Sequence, residues 1–454
     1  MAYKSINPYT GKVNKTYDNI SDEELDNIIF SSSRAFRKWS RLDIEQRQDM
    51  LLRLADILET EKDYHAASIT SEMGKPISQS LAEVEKSVLA CRYYAERADE
   101  FLRPRKHSSQ GGTSVIRFDP QGIVFAIMPW NFPYWQVIRC LAPALVSGNT
   151  VLLKHASNVP QCAENIENAL IKAGFPGSVF RNLFIDHKQV SRVIASGHVR
   201  SVSLTGSNIA GEKVASAAGA NIKKLVLELG GNDAFIVCND ADLQKAADAL
   251  IYGRFQNAGQ SCIASKRLFV HEQVYAEFLS LLTGRLKSLS IGDPLLADTF
   301  IGPLVNSSAV TELERQLKET VDMGAEIILG GSKGKQGDCF FDPTLVVNVP
   351  WDSPLAREEV FGPVLPVFSF SDYDEMVCRV NDSRFGLACS VFTDDSKLRE
   401  RLSEDIDTGT IVFNSFTRSD PALPFGGVKE SGYGRELSEY GIMEFVNIKT
   451  VTVF

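Results

Sequence analysis

Apolar positions recur with a helical period over residues 21–104. The run "SDEELDNIIFSSSRAFRKW" opens with Ser21, a candidate helix cap, and places acidic residues in the first turn. A polar and glycine-rich stretch over residues 103–122 then interrupts this period and ends in a short alternating strand. The first quarter of the chain is therefore predicted to be helical.

From residue 123 onward, short apolar runs alternate with helical segments. The runs are rich in valine, isoleucine and leucine and lack polar alternation, which is typical of parallel strands covered on both faces. A second block of the same kind follows Gly230-Gly231, so we predict an α/β protein with parallel sheets. The final run, "MEFVNIKTVTVF", predicts an edge strand that needs something to pair with.

Composition narrows the class of protein. A chain of 454 residues with 44% hydrophobic and 23% charged residues is typical of a globular protein with two or three domains. The net charge of -9 and the lack of a basic stripe argue against a nucleic-acid partner. Because the apolar runs are short and the N-terminus has no apolar signal core, we expect no membrane partner and a cytoplasmic enzyme.

The eight cysteines form no CxxC pair, and the six histidines form no HxxxH pair. We therefore expect reduced thiols and no metal site. Cys262 ends a turn of small residues, "NAGQSC", whereas a buried spare cysteine usually lies within an apolar run. A thiol at such a turn is a candidate for chemistry.

A nucleotide-binding turn is suggested at "LTGSNIAGEK", where Gly206 and Ser207 lie between a predicted strand and a predicted helix. A helix N-terminus can bind phosphate, although a strand-to-helix turn also needs small residues for steric reasons alone. The turn is not a P-loop, because Glu212 stands where that motif has lysine. Lys154 ends another predicted strand, where parallel sheets bind ligands; a solvated lysine is the alternative.

Five segments bring unusual combinations together in one order along the chain. They are "MPWNFP", "LELGGND", "FQNAGQSC", "EEVFGP" and "PFGGVKESGYGRELSEYG". Together they resemble the aldehyde dehydrogenase superfamily, and the resemblance extends from "NPYTGK" to "VTVF". Within that superfamily the chain looks most like the short bacterial succinic semialdehyde dehydrogenases, with which it shares the string "KHA" and Gln256.

The resemblance implies a mechanism based on Cys262, whose thiolate would attack an aldehyde and form a thiohemiacetal. The side-chain amide of Asn131 and the backbone N–H of Cys262 would hold the oxyanion. Glu228 would be the base that activates water to hydrolyse the thioester, and Glu436 would relay its proton. The alternative for Glu228 is a strand-end carboxylate in a salt bridge.

The resemblance also implies a Rossmann-type domain that binds a nicotinamide cofactor. Ser207, in the turn with Gly206, would meet the pyrophosphate, and Lys154 would meet the adenosine ribose. The remaining residues of the expected cleft are Glu359 on the nicotinamide ribose, Phe361 against the nicotinamide, and Trp130 and Ile127 on the walls. Many NAD-preferring members carry glutamate where this chain has Ser157. We predict NAD and leave NADP open, because serine does not repel a 2′-phosphate.

The expected substrate is a small aldehyde with a carboxylate, most simply succinic semialdehyde. Arg139, eight residues after Asn131, matches an arginine that grips this carboxylate, and Ser419 matches a serine that assists it. Trp135 is expected to line the tunnel through which the substrate enters. Alternatively, Arg139 forms an ion pair on the protein surface. Gln256 replaces a second arginine of the animal enzymes, so binding is weaker or shared with Arg418.

Other functions remain open at the sequence level. They are oxidation of a different small aldehyde, acyl transfer to CoA instead of water, and a binding protein without catalysis. The family architecture implies a cofactor-binding domain over residues 1–100 and 121–229 and a catalytic domain over residues 230–430. It also implies an oligomerisation element over residues 101–120 and 440–454, and hence a homodimer or homotetramer.

Overall fold

The computed structural model describes residues 3–109 and 112–454 of the chain. The helices are α1 (Asp22–Trp39), α2 (Ile44–Thr60), α3 (Lys62–Met73), α4 (Ile77–Phe101), α5 (Trp135–Val146), α6 (Pro160–Lys172), α7 (His187–Ala195), α8 (Asn208–Ala220), α9 (Leu243–Leu250), α10 (Glu272–Lys287), α11 (Ser307–Asp322), α12 (Pro354–Arg357), α13 (Tyr373–Asn381), α14 (Ser396–Asp405) and α15 (Ser438–Met443). As predicted, the first quarter is helical, and the Ser21 hydroxyl caps α1 by accepting from the Glu24 N–H at 3.1 Å.

Twenty strands form the sheets of the described residues. They are β1 (Tyr3–Ile6), β2 (Val13–Tyr17), β3 (Arg105–Ser109), β4 (Gly112–Pro120), β5 (Ile123–Met128), β6 (Thr150–His155), β7 (Phe180–Asn182), β8 (Val199–Thr205), β9 (Lys224–Glu228), β10 (Asp233–Val237), β11 (Ser265–His271), β12 (Glu326–Leu329), β13 (Thr344–Val347), β14 (Val364–Phe370), β15 (Phe385–Gly386), β16 (Ala388–Phe392), β17 (Thr410–Phe413), β18 (Val428–Lys429), β19 (Gly432–Tyr433) and β20 (Val446–Val453).

One six-stranded sheet has the order β19-β9-β8-β5-β6-β7. Its strands β5 to β9 are parallel, as the uninterrupted apolar runs predicted, whereas β19 adds an antiparallel edge. In this register Ile127 lies opposite Lys154 and Thr205 lies opposite Glu228. The carboxyl ends of these strands therefore bring several predicted site residues to one edge of the sheet.

A seven-stranded sheet has the order β12-β13-β14-β11-β10-β16-β17. Six of its strands are the apolar runs of the second predicted block and pair in parallel. The antiparallel edge strand β12 was not predicted from the sequence. The α/β prediction is thus confirmed for both blocks.

The predicted C-terminal edge strand is β20, and it pairs with β4 of the same chain over eight residue pairs, from Val446↔Pro120 to Val453↔Thr113. The sheet order is β20-β4-β3, so β20 keeps one edge without a strand among the described residues. The chain itself therefore supplies the partner on one side. A strand of another subunit could pair only with the opposite edge of β20.

The helix α5 lies in the hydrophobic core, and every one of its residues is buried. It packs against α4 and follows directly from the segment that contains Asn131. A polar side chain on α5, such as Arg139, therefore needs a polar or charged partner inside the protein.

No helix in the described part of the chain is long and apolar enough to cross a membrane. Within the same residues, no group of three or more histidine, cysteine, aspartate or glutamate side chains is placed to hold a metal ion.

Candidate active site

The loop before Cys262 has an uncommon backbone. Asn257, Ala258 and Gly259 all have positive φ angles, of 53°, 52° and 76°. Such angles are costly for residues with a Cβ atom and tend to occur at functional sites. At Gly259, a Cβ atom would collide with the backbone carbonyl of Gly362, so the glycine allows two loops to touch. The sequence predicted a tight turn but not the left-handed Asn257 and Ala258.

Asn131 is fixed to this loop. Its amide Nδ2 donates to the carbonyl oxygen of Gln260 at 3.1 Å, and Asn257 Nδ2 donates to the Asn131 carbonyl at 3.0 Å. Because a side-chain amide carries two N–H donors, one donor of Asn131 remains for another acceptor. Asn131, which was predicted to hold the oxyanion, is thus hydrogen-bonded to a residue two positions before Cys262, the predicted nucleophile.

Cys262 lies where two cavities meet. One, here called the Trp135 cavity, is lined by Lys86, Trp135, Arg139, Ser419 and other residues. The second, called the Trp130 cavity, is lined by Trp130, Asn131, Gly206, Ser207, Glu359, Phe361 and other residues. Cys262 lines both cavities. The structure therefore brings the predicted substrate residues to one side of the sulfur and most predicted cofactor residues to the other.

The Cys262 thiol is protonated at neutral pH. Burial raises its pKa to about 11, although the nearby charges of Arg139 and Lys266 oppose that shift. Since only a thiolate is nucleophilic, the site needs a group that accepts the thiol proton or a further positive charge nearby.

Lys266 was not identified from the sequence, yet it organises the loop around Cys262. Its Nζ donates to the carbonyl oxygens of Ser261 at 2.8 Å and of Cys262 at 2.6 Å. The same ammonium lies 3.4 Å from Glu359 Oε1 and is fully buried. Lys266 thereby connects the nucleophile loop to the carboxylate that was predicted to hold the nicotinamide ribose.

Arg254 also connects these two loops, because its Nη1 donates to the Gly259 carbonyl oxygen, in the loop before Cys262, at 3.5 Å. It is fully buried and donates to the carbonyl oxygens of Val360 at 3.1 Å, Gly362 at 2.5 Å and Val364 at 2.6 Å. Burial lowers the pKa of Arg254 to about 9. In sequence this arginine lies within a helical pattern and resembles a surface residue, so no local signal identifies it.

Glu228 ends β9 and is 2% exposed. Neither of its carboxyl oxygens has a hydrogen-bond partner among the described residues. Burial raises the pKa of Glu228 well above its ordinary value, with Arg139 acting in the opposite direction. The salt-bridge alternative for this residue therefore fails, and a carboxyl group without a hydrogen-bond partner among the described residues is available for proton transfer.

Glu436 forms a buried ion pair with Arg139, and the Ser203 hydroxyl donates to its Oε1 at 3.4 Å. Arg139 also donates from Nη2 to the Thr205 hydroxyl at 3.2 Å. Burial raises the pKa of Glu436, and the guanidinium opposes that shift. The prediction assigned Arg139 to a substrate carboxylate. In the structure it lines the Trp135 cavity, but its charge is already engaged by Glu436.

The Trp130 cavity has features that fit a dinucleotide. Ser207 caps α8, with its hydroxyl accepting from the Ala210 N–H at 3.3 Å, and the start of this helix faces the cavity. Glu359 is positioned by the Gly231 N–H, which donates to Oε1 at 3.1 Å. The rings of Trp130 and Phe361 meet edge to face, with centroids 5.8 Å apart.

Lys154, Ile127 and Ser157 do not line either cavity beside Cys262. Lys154 and Ile127 are neighbours across β6 and β5, at the same sheet edge as Ser207, and Ser157 follows β6. Burial lowers the pKa of Lys154, and no described carboxylate pairs with it. An extended cofactor that reaches from Phe361 past Ser207 along this edge would meet these residues.

A dinucleotide cleft that opens onto a cysteine sulfur beside a second, cationic cavity defines a nicotinamide-dependent oxidoreductase. The chain belongs to the aldehyde dehydrogenase family, whose family model matches residues 1–451. The resemblance inferred from the five sequence motifs is therefore confirmed, together with the fold and the enzyme class that it implied.

Several proteins are similar to this chain over its whole length. A probable NADP(+) succinate-semialdehyde dehydrogenase of Synechocystis sp. is 44% identical over 453 residues, covering 100% of both chains. Succinate-semialdehyde dehydrogenase 1, NADP(+), of Mycobacterium tuberculosis is 42% identical over 456 residues, again covering 100% of both. The crystal structure of a succinic semialdehyde dehydrogenase from Streptococcus pyogenes in complex with NADP+ superposes with a TM-score of 0.97 at 38% identity, with 100% coverage of both chains.

Proposed function

We propose that this enzyme oxidises succinic semialdehyde to succinate with NAD(P). The observation that carries the proposal is the position of Cys262 between a cationic cavity and a dinucleotide cleft. The names of the relatives support the same substrate and an NADP(+) cofactor. A carboxylated aldehyde matches the lysine and arginine side chains around the first cavity.

The proposed reaction begins at Cys262. Its thiolate attacks the aldehyde carbon, and the negative oxygen that forms accepts hydrogen bonds from the free donor of Asn131 and from the Cys262 backbone N–H. The Asn131 amide is already fixed by its contact to the Gln260 carbonyl, so little reorganisation of this donor is needed. Loss of one such donor typically costs about 3 kcal/mol of transition-state stabilisation.

The nicotinamide ring, when bound, supplies the acceptor for the hydride that leaves the thiohemiacetal. Trp130, Phe361 and Glu359 would hold it on the far side of the sulfur. Cys262 is then left with a thioester. Glu228 accepts a proton from water, the resulting hydroxide displaces the sulfur from the acyl carbon, and succinate and the thiolate are released.

The proton taken up by Glu228 must leave before the next turnover. Arg139 provides a route, because its charge acts on both Glu228 and Glu436. Burial raises the pKa of Glu436, whereas Arg139 favours its ionised form, and in that form Glu436 can accept the proton. In this proposal Glu436 and Arg139 restore the base and do not touch the aldehyde.

The cofactor is proposed to be NADP at least as readily as NAD. Ser157 stands where a carboxylate would repel the 2′-phosphate, and Lys154, at the end of the same strand, has no ion pair with any described carboxylate. Values of kcat/KM measured with both cofactors test this point. A strong preference for NAD would contradict it.

The function is tested by a screen of small aldehydes, charged and neutral, with succinate quantified in the presence and absence of CoA. We expect succinic semialdehyde to have the highest kcat/KM and succinate to form without CoA. A product that requires CoA would instead indicate an acylating enzyme. Cys262→Ala should abolish turnover with every aldehyde, and persistent turnover would exclude the mechanism.

We further propose the three-part architecture expected from the sequence, with residues 101–120 and 440–454 as the oligomerisation element. Support comes from the edge of β20 that has no neighbouring strand in the described chain. A homodimer or homotetramer in the cytoplasm is the expected state. Light scattering measures the mass, and a monomer would contradict this proposal.

A further inference from the structure

A second cation lies in the Trp135 cavity, and sequence comparison did not single it out. Lys86, on α4, lines this cavity together with Cys262. Its Nζ donates to the Ser419 hydroxyl at 2.7 Å and lies 4.3 Å from the centroid of the Trp135 ring. Two residues predicted to contact the substrate therefore meet at one lysine ammonium.

The charge of Lys86 is available, whereas that of Arg139 is not. Arg139 is neutralised by Glu436. Lys86 forms no ion pair with any carboxylate in the described part of the chain, although it is partly buried. A cation in such a place is costly unless an anion joins it.

Glu83 lies about one turn before Lys86 and lines the same cavity, but its carboxylate is committed elsewhere. It pairs with the fully buried Lys75 and accepts from the backbone N–H groups of Tyr134 at 2.8 Å and Trp135 at 3.1 Å. These contacts fix the start of α5. Glu83 therefore does not turn toward Lys86 without releasing that helix.

We propose that Lys86 and the Ser419 hydroxyl bind the distal carboxylate of the aldehyde, and that Arg139 instead holds Glu436. This inference rests on the proposed function. On binding, the Ser419 hydroxyl rotates so that its hydrogen points to the carboxylate, and the ammonium donates to the same group. The Trp135 ring keeps the lysine stem in place by a cation–π contact.

The test compares succinic semialdehyde with butanal, a neutral aldehyde of the same carbon number. For Lys86→Met, the ratio of kcat/KM values, carboxylated over neutral, should fall about 10- to 100-fold, because a charge-assisted hydrogen bond is lost. The loss should lie mainly in KM. Lys86→Arg should restore most of the ratio, and Ser419→Ala should lower it by about tenfold or less.

Arg97→Gln is the matched control, because Arg97 lies on the same helix as Lys86 but is exposed and does not line the Trp135 cavity. It should change the ratio by less than about threefold. If Arg418→Gln lowers the ratio strongly and Lys86→Met does not, the inference is overturned. Calorimetric titration with succinate gives a second readout that does not require turnover, and Lys86→Met should weaken this binding.

These measurements distinguish a failure of the proposed function from a failure of the inference about Lys86. If the wild type does not prefer succinic semialdehyde over butanal, the proposed function fails and the inference fails with it. If the wild type shows the preference and Lys86→Met retains both the preference and the affinity for succinate, only the inference fails.

Discussion

Arg139 and Glu436 form an ion pair in which the side chains are 2% and 1% exposed. The guanidinium reaches the pair from α5, and the carboxylate comes from the segment after β19, so the contact joins residues almost 300 positions apart. Desolvation of both charges is offset only while both are present. Two residues that sequence comparison assigned to separate tasks thus depend on each other.

The first prediction concerns this pair. Arg139→Met should lower kcat with succinic semialdehyde and with butanal alike, because it leaves Glu436 without its counter-charge and impairs proton release. It should also lower the free energy of unfolding by about 3 kcal/mol or more. Enzyme assays with both aldehydes and chemical denaturation check the two effects.

The double variant Arg139→Met/Glu436→Gln is the control for stability. It should be more stable than Arg139→Met alone, because no uncompensated buried charge remains. Selective loss of succinic semialdehyde oxidation in Arg139→Met would restore the carboxylate role that the sequence suggested for this arginine.

The second prediction concerns pH. Burial lowers the pKa of Lys86 to about 8; Arg139 and Arg418 act in the same direction, and Glu83 and Asp420 act against it. Lysine is cationic below its pKa. The KM for succinic semialdehyde should therefore rise as the pH increases through about 8, while the KM for butanal should not follow that rise.

Lys86→Arg should remove this pH dependence, since arginine stays charged throughout the range. Steady-state assays from pH 6.5 to about 9.5 with both aldehydes provide the measurement. An identical rise in KM for both substrates would assign the titration to another group.

The third prediction concerns Lys266. Lys266→Met removes two hydrogen bonds to the nucleophile loop and the ion pair with Glu359. It should slow alkylation of Cys262 by iodoacetamide, because a positive charge that favours the thiolate is lost. It should also weaken NADPH binding, which fluorescence titration measures.

Lys266→Arg keeps the charge and is expected to retain more thiol reactivity than Lys266→Met. Equal alkylation rates for the wild type and Lys266→Met would show that the ammonium does not act on the sulfur.

The fourth prediction concerns Gly259. Gly259→Ala places a Cβ atom against the Gly362 carbonyl at a positive φ angle, so the loops of Cys262 and Phe361 must separate. We expect the free energy of unfolding to fall by about 1–3 kcal/mol. We also expect kcat of the folded enzyme to fall, because the two loops carry Cys262 and Phe361. Gly177→Ala, where the new Cβ atom meets nothing within 4 Å, is the matched control.

Much of the fold was predictable because the signal is local. The strands β5 and β6 are runs of mostly apolar residues bounded by turns. Gly148 and Gly174 follow the helices α5 and α6 with φ angles of 96° and 87°, which is the left-handed conformation that glycine adopts readily after a helix. Short edge strands such as β12 and β19 escape prediction, because only their neighbours determine that they pair.

The candidate site was predictable where residues belong to a motif and not where they act through distant contacts. Cys262, Asn131 and Glu359 lie in segments with unusual composition. Lys266 lies in a run, "SKRLFVH", that only predicts a strand, and its partners become visible in three dimensions. Lys86 lies on a long helix whose polar residues mostly face solvent.

The placement of Glu83 and Lys86 on successive turns of α4 has a practical consequence for enzyme engineering. The Glu83 carboxylate accepts hydrogen bonds from the backbone at the start of α5. Lys86 instead contacts the Ser419 side chain in the cavity. Libraries that aim to change the accepted aldehyde can therefore randomise position 86 while keeping glutamate at position 83, and expect altered selectivity in variants that still fold.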